Sequence, residues 1–345
     1  MVRPTGNVAA GFLAVLAVLV GAQDARAVDV RWPGFSRPSA PFAYFAPRPP
    51  VSAVEGEFGA RYWFSVGKTA KDLYNIAGNS LVSRLTYDGL HGHTFEGFGR
   101  LDHTSGLYLK GYLGGGIVPR GELNDEDFPP TITPYSSTLS DQRRGQMLYG
   151  SIDVGFNVIR HPGFRLGAFA GYHYFEEQVS AYGCTQIAAN GGICAGGIPD
   201  TVRVITQDNI FHSLRIGADA DIKLSDRLLL RLDGAYLPVV SLDGADSHWL
   251  RIGNATGDFR GAIPEDGRGH GFQLEAALQY AVSQDVKVAV GGRYWRMETG
   301  GLTHFEGNVV NTNSAAQPVD WTSEVYGVFV QGTFRFGPYR TERVF

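Results

Sequence analysis

Methionine and cysteine are nearly missing from this chain of 345 residues, which has three of the first and two of the second. Two cysteines cannot build a disulfide scaffold, and their surroundings offer no further ligands for a structural zinc. A surplus of positive charge is missing too: 30 lysines and arginines face 34 aspartates and glutamates, a formal net charge of −4. No basic field gathers phosphates, so nucleic acid is excluded as an expected partner. Beyond the N-terminal region no apolar run reaches the ~18 residues that a membrane helix needs. Glycine, by contrast, is abundant. Its 46 residues make up about 13% of the chain against an ordinary ~7%, and together with 12% aromatic residues they point to strands and turns rather than helices.

Arg3 precedes an apolar run from Val8 to Val20, and Ala25-Arg26-Ala27 follows with small residues where a signal peptidase reads. Residues 1–27 are therefore expected to be a signal peptide cleaved after Ala27, and the mature chain to be exported. Residues 28–53 read as an extended periplasmic lead-in, with Pro33, Pro38, Pro41, Pro47, Pro49 and Pro50 opposing a folded core. In an oxidising compartment Cys184 and Cys194, which bracket a Gly- and Asn-containing stretch, are expected to close a local disulfide.

Alternation with a period of two runs through the rest. Val286, Val288, Val290 and Tyr294 alternate with Lys287, Ala289, Gly291 and Arg293. Leu228, Leu230, Leu232 and Tyr236 do the same against Arg227, Arg231 and Asp233. Ten strands are predicted, near 55–66, 81–103, 106–116, 146–158, 163–181, 203–224, 227–242, 269–282, 285–299 and 321–336. The links between them alternate strictly between long and short, which a soluble sandwich has no reason to do. The expectation is all-β: a ten-stranded antiparallel transmembrane β-barrel over 54–336 with long extracellular loops, and a short tail over 337–345. It would be a monomer in the lipid of a bacterial outer membrane. Tyr172, Tyr174, Tyr236, Tyr294, Trp295 and Trp321 fall toward strand ends and read as an interfacial girdle, with core stacking as the alternative for any one of them.

Two of the long links carry titratable pairs at i and i+2, on one side of an extended chain: Asp125 with Asp127, and Asp246 with His248. Four strands apart in a closed ring, they would face each other across the mouth. His248 would take a proton from a water, Asp246 would hold the imidazole, and Asp125 with Asp127 would orient the water or share a proton. No cofactor or metal is required, although such a set is also able to collect a divalent cation. Other groups read as ordinary. His91 and His93 lack a third ligand and border an expected bulge near Gly89 to Gly92; Glu265 and Asp266 read as a solvated loop pair.

Several segments carry a resemblance to a known family. They are Gly67-Lys68-Thr69 before Tyr74, Val82 to Leu85, Asn124-Asp125-Glu126-Asp127-Phe128, Phe164 to Tyr172, and Asp246-Ser247-His248-Trp249. In order and spacing, from roughly Val54 to Phe336, the chain resembles the omptin family of outer-membrane proteases. The resemblance implies a ten-stranded barrel that cleaves peptide bonds of a peptide or protein substrate at its extracellular mouth, as an aspartic-type endopeptidase activated by lipopolysaccharide. Asp125 and Asp127 match the family's Asp pair, and Asp246 and His248 its dyad. Members that cut between basic residues hold the basic side chain with a glutamate and an aspartate; Lys71 and Gly244 stand at those places, with Asp72 and Asp243 adjacent. The alternative is a barrel of the same shape that serves as an adhesin, a receptor or a structural surface protein.

Overall fold

The computed structural model describes residues 53–130, 133–188, 194, 196–253, 259–305 and 315–337. The signal peptide expected over 1–27, the lead-in over 28–53 and the tail over 337–345 lie outside the described residues, apart from Ala53 and Gly337. Ten strands follow one another: β1 (Val54–Tyr74), β2 (Leu81–His103), β3 (Leu107–Asp127), β4 (Ser136–His161), β5 (Phe164–Ala188), β6 (Ile198–Lys223), β7 (Leu228–His248), β8 (Ile263–Ala281), β9 (Val286–Thr303) and β10 (Gln317–Phe336). Each pairs antiparallel with its chain neighbours, and β1 pairs with β10, setting Tyr62 opposite Val330, so the sheet closes into a barrel. Closure leaves no edge strand with unpaired backbone groups, which a bilayer would penalise.

Strands run from 18 to 26 residues, whereas crossing a bilayer takes only ~9–11. Roughly the lower half of the wall is greasy on its outer face. Val154, Val158, Ile216, Val288, Val290, Val328 and Val330 are all large, apolar and exposed there, and water would not tolerate such a continuous belt. Above the belt Tyr62 bonds His93 at 2.6 Å and Tyr172 bonds His212 at 2.5 Å, both on the outer face. Higher still the outer face turns ionic, with Arg84 on Asp72 at 2.6 Å and Arg296 on Glu324 at 3.3 Å.

That change of outer surface explains the main departure from the sequence expectation. Above the bilayer the outer face turns polar while the inner face keeps apolar residues such as Leu85 and Leu123, so the greasy-outside alternation ends although the hydrogen-bonded ladder continues. The third strand, expected to stop at 116, reaches Asp127, and the link expected over 117–145 shrinks to residues 128–135. The expected irregularity at Gly89 is present as register shifts between Asp88 and His93, with Gly89 at φ 60°. His91 and His93 lie on the outer face, their rings against Phe64, which accounts for them without a metal.

The lumen is filled in two layers. At the bottom an ionic lattice joins all sides: Arg293 to Glu96 and to Glu275 at 2.7 Å, Arg61 to Glu275 at 2.7 Å, Arg215 to Asp153 at 2.6 Å. On top of it sit Trp63, Tyr149, Phe175 and Trp295, packed edge to face. Trp295 and Trp321 are thus buried inside rather than in an interfacial girdle, and Tyr174 is largely covered, whereas Tyr172 and Tyr236 do face outward. Parity along the strand gives the reason: Tyr294 stacks on Phe272 on the outer face, so its neighbour Trp295 must point inward. These layers form a floor, and the open space lies above it.

Candidate active site

That space is a cavity of about 700 Å³ bounded by the upper ends of the strands. Asp125 and Asp127 stand at the top of β3, opposite Thr138 and Ser136 of β4. Asp246 and His248 stand at the top of β7, opposite Gln207 and Ile205 of β6. All four line the one cavity. β3 and β7 are four steps apart in the ring, so the two pairs approach from different sides. None of the four is in a loop, as the sequence expectation had it. They occupy strand ends, where the ladder fixes both members of each i, i+2 pair on the inner face.

His248 Nε2 lies 3.0 Å from the Asp246 carboxylate, and the Phe259 ring packs edge-on against the imidazole with centroids 5.7 Å apart. With Nε2–H donating to Asp246, Nδ1 is the nitrogen left to accept a proton. Asp246 carries a second cationic partner: Lys71, at the inner face of β1, bonds the same carboxylate oxygen. The Lys71 ammonium also donates to Glu265 of β8 at 2.7 Å, and Gln207 donates to the other Glu265 oxygen at 2.9 Å. The remaining Asp246 oxygen, Oδ1, is buried with no hydrogen-bond donor among the described residues.

These contacts set the protonation states. Burial would raise Asp246, but His248 and Lys71 outweigh it and hold the carboxyl well below the usual carboxylate range. Burial would lower His248, but the Asp246 charge outweighs that, with help from Asp125, and raises the imidazole above its ordinary value. Asp125 is pushed up to about 6, first by burial and then by the charge of Asp127, with His248 opposing. Burial also raises Asp127, against the pull of a Ser83 hydrogen bond and of Arg251. Asp125 and His248 therefore stand close enough for each to shift the other, and the two pairs form one electrostatic unit.

Two wall residues escaped the sequence. Glu265, expected to be solvated, is buried because β8 begins at Ile263 and parity turns its side chain inward. Lys71 gave no sign of an ionic role, since its partners lie 175 and 194 positions away. Asp72 and Asp243 do not replace the missing acidic positions. Asp72 pairs outward with Arg84, and Asp243 is exposed on the face of β7 opposite to Asp246. The Cys184–Cys194 disulfide is formed, with Cα atoms 5.8 Å apart, and belongs to the cavity wall. Among the described residues no group of three or more His, Cys, Asp or Glu side chains is placed to hold a metal ion.

The fold and its outer apolar belt make this chain an outer-membrane β-barrel. No family model matches it, and no curated protein matches its sequence. Among solved structures it is similar to the outer membrane protease OmpT from Escherichia coli, with a TM-score of 0.65 and 16% identity over 82% of this chain and 96% of that one. The outer membrane protein OprG from Pseudomonas aeruginosa matches at a TM-score of 0.31 and 10% identity, over 82% of this chain and 97% of that one. The attachment invasion locus protein Ail of Yersinia pestis matches at 0.24 and 8%, over 80% and 98%. At 16% identity the likeness to OmpT is one of fold alone.

Proposed function

We propose that this barrel is an omptin-like endopeptidase that hydrolyses peptide bonds of exposed polypeptides at its outward mouth, using a water held between the Asp125–Asp127 pair and the Asp246–His248 dyad. The observation that carries this reading is the convergence of the His248–Asp246 dyad, bonded at 3.0 Å, with Asp125 and Asp127 on one cavity of about 700 Å³.

In this mechanism neutral His248 takes a proton from the water at Nδ1, and the hydroxide attacks the scissile carbonyl. Asp246, kept ionised by Lys71, stabilises the imidazolium that results. Asp125, raised by burial and by the charge of Asp127, and Asp127, raised by burial, orient the water. When the tetrahedral intermediate collapses, the imidazolium returns its proton to the leaving amine, which closes the proton balance. No covalent enzyme intermediate and no bound metal enter the scheme. Lipopolysaccharide is proposed as the lipid that supports activity, as the resemblance implies.

Replacing His248 by Ala tests the reading. In lipopolysaccharide-containing micelles cleavage of a mixed peptide library should fall by at least about 100-fold, the scale of general base catalysis, while the heat-modifiable shift of the folded barrel is kept. Cleavage that survives the substitution removes the mechanism.

A further inference from the structure

The proposed catalytic cavity has an unusual distribution of charge. Among the described residues its carboxylates, apart from Asp125 and Asp127, are Asp246 and Glu265, and one ammonium serves both. Asp246 has His248 in addition, and Glu265 has Gln207. Arg251, also on the wall, lies close enough to Asp127 to lower its pKa. Apart from Asp125 and Asp127, then, a cationic substrate side chain entering the cavity meets, among the described residues, only Asp246 and Glu265, both buried and both already holding Lys71. Displacing Lys71 would strand an ammonium in a buried wall, at a cost of the kind that makes half-broken buried pairs unfavourable.

Apolar surface, on the other hand, is on offer next to the dyad. Phe259, edge-on to His248, is stacked on Phe305 with centroids 5.6 Å apart and planes 25° from parallel. Leu73 and Ile263 line the same cavity and flank Lys71 and Glu265 in sequence, two residues from each on the strand face they share. A flat or branched apolar side chain fits this shelf, and it asks for no counter-charge.

Resting on the protease reading above, we infer that the site selects peptides with an aromatic or large aliphatic residue beside the cleaved bond. Lys71 determines this preference by occupying, with a single ammonium, the two carboxylates that would otherwise receive a lysine or arginine of the substrate.

The test uses a series of fluorogenic peptides identical except for one residue flanking the scissile bond, which is Phe, Leu, Arg, Lys or Glu. With the intact barrel in lipopolysaccharide micelles, kcat/KM for Phe and Leu should exceed that for Arg and Lys by roughly tenfold or more, the scale on which pockets discriminate side chains. Lys71→Met uncovers Glu265 and should move the ranking toward Arg and Lys by a similar factor, even if overall turnover falls. The double variant Lys71→Met with Glu265→Gln removes both charges and should return the ranking to the apolar residues. The same peptides, bound to the His248→Ala barrel and read by fluorescence anisotropy, give the ranking without turnover. An apolar ranking in binding together with no cleavage by the native barrel upholds the selectivity and removes the protease reading. Cleavage that favours Arg or Lys, or shows no ranking, overturns the selectivity and leaves the protease reading standing. A ranking unchanged by Lys71→Met removes the role of Lys71.

Discussion

Asp125 carries the clearest conflict between stability and use. Its carboxyl is pushed up to about 6 by burial and by Asp127, so at neutral pH the fold holds a charge that it disfavours. Linkage gives the sign. A folded value above the unfolded ~3.9 means stability is lost as pH rises from about 4 through 6. Asp125→Asn should therefore raise unfolding free energy at pH 7 by up to about 3 kcal/mol, read by urea titration in micelles, while peptide cleavage falls at least about 100-fold. His248 gives a second prediction. Its imidazole is raised above the ordinary ~6.5 by Asp246, and the base works only when neutral, so kcat should rise with pH along a limb centred above 6.5. A limb centred below that value would remove His248 as the base. At this scale the sequence was informative where chemistry is local. Asp125 with Asp127 and Asp246 with His248 are two-residue patterns whose geometry a strand fixes. Lys71 with Glu265 is a contact across 194 positions, and no window of sequence contains it.

At the scale of strands and links, parity governs what was legible. Period-two alternation located all ten strands because the lower half of each meets lipid on one side. It failed at the upper ends, where ion pairs such as Arg84 with Asp72 and Arg296 with Glu324 replace the apolar outer face. Trp295 is the instructive miss, since its proximity to a strand end suggested the interface while its parity with Arg293 already required the lumen. The disulfide carries the prediction at this scale. Cys184 and Cys194 close a loop with a sequence separation of 10 at the cavity wall, and a loop of this size is worth about 2–3 kcal/mol. Replacing both by Ser should speed hydrogen exchange and proteolysis around 184–198 and leave the heat-modifiable barrel intact. Unchanged exchange there would mean that the bridge does not hold the wall.

The barrel has a plugged lower half and an open upper one. Arg293, Glu96, Glu275 and Arg61 tie β1, β2, β8 and β9 together below an aromatic layer, and Arg100 reaches across to Asp219 of β6, so the barrel should show no steady conductance in planar bilayers; sustained single-channel steps would contradict the filled lumen. Removing one member of such a buried lattice leaves its partners without a counter-charge, and Arg293→Ala should cost about 3–5 kcal/mol of stability without altering the residue at which peptides are cut. Above the floor, at the mouth, open space and converging titratable groups coincide.

The central claim is that two pairs on β3 and β7 act on one water, and a double-mutant cycle addresses it most directly. kcat/KM for one peptide would be measured with the intact barrel, His248→Ala, Asp125→Asn and the two combined. If both groups serve the same water, the combined variant should be no slower than the worse single variant, because either loss alone disables the unit. Losses that multiply in the combined variant would contradict it.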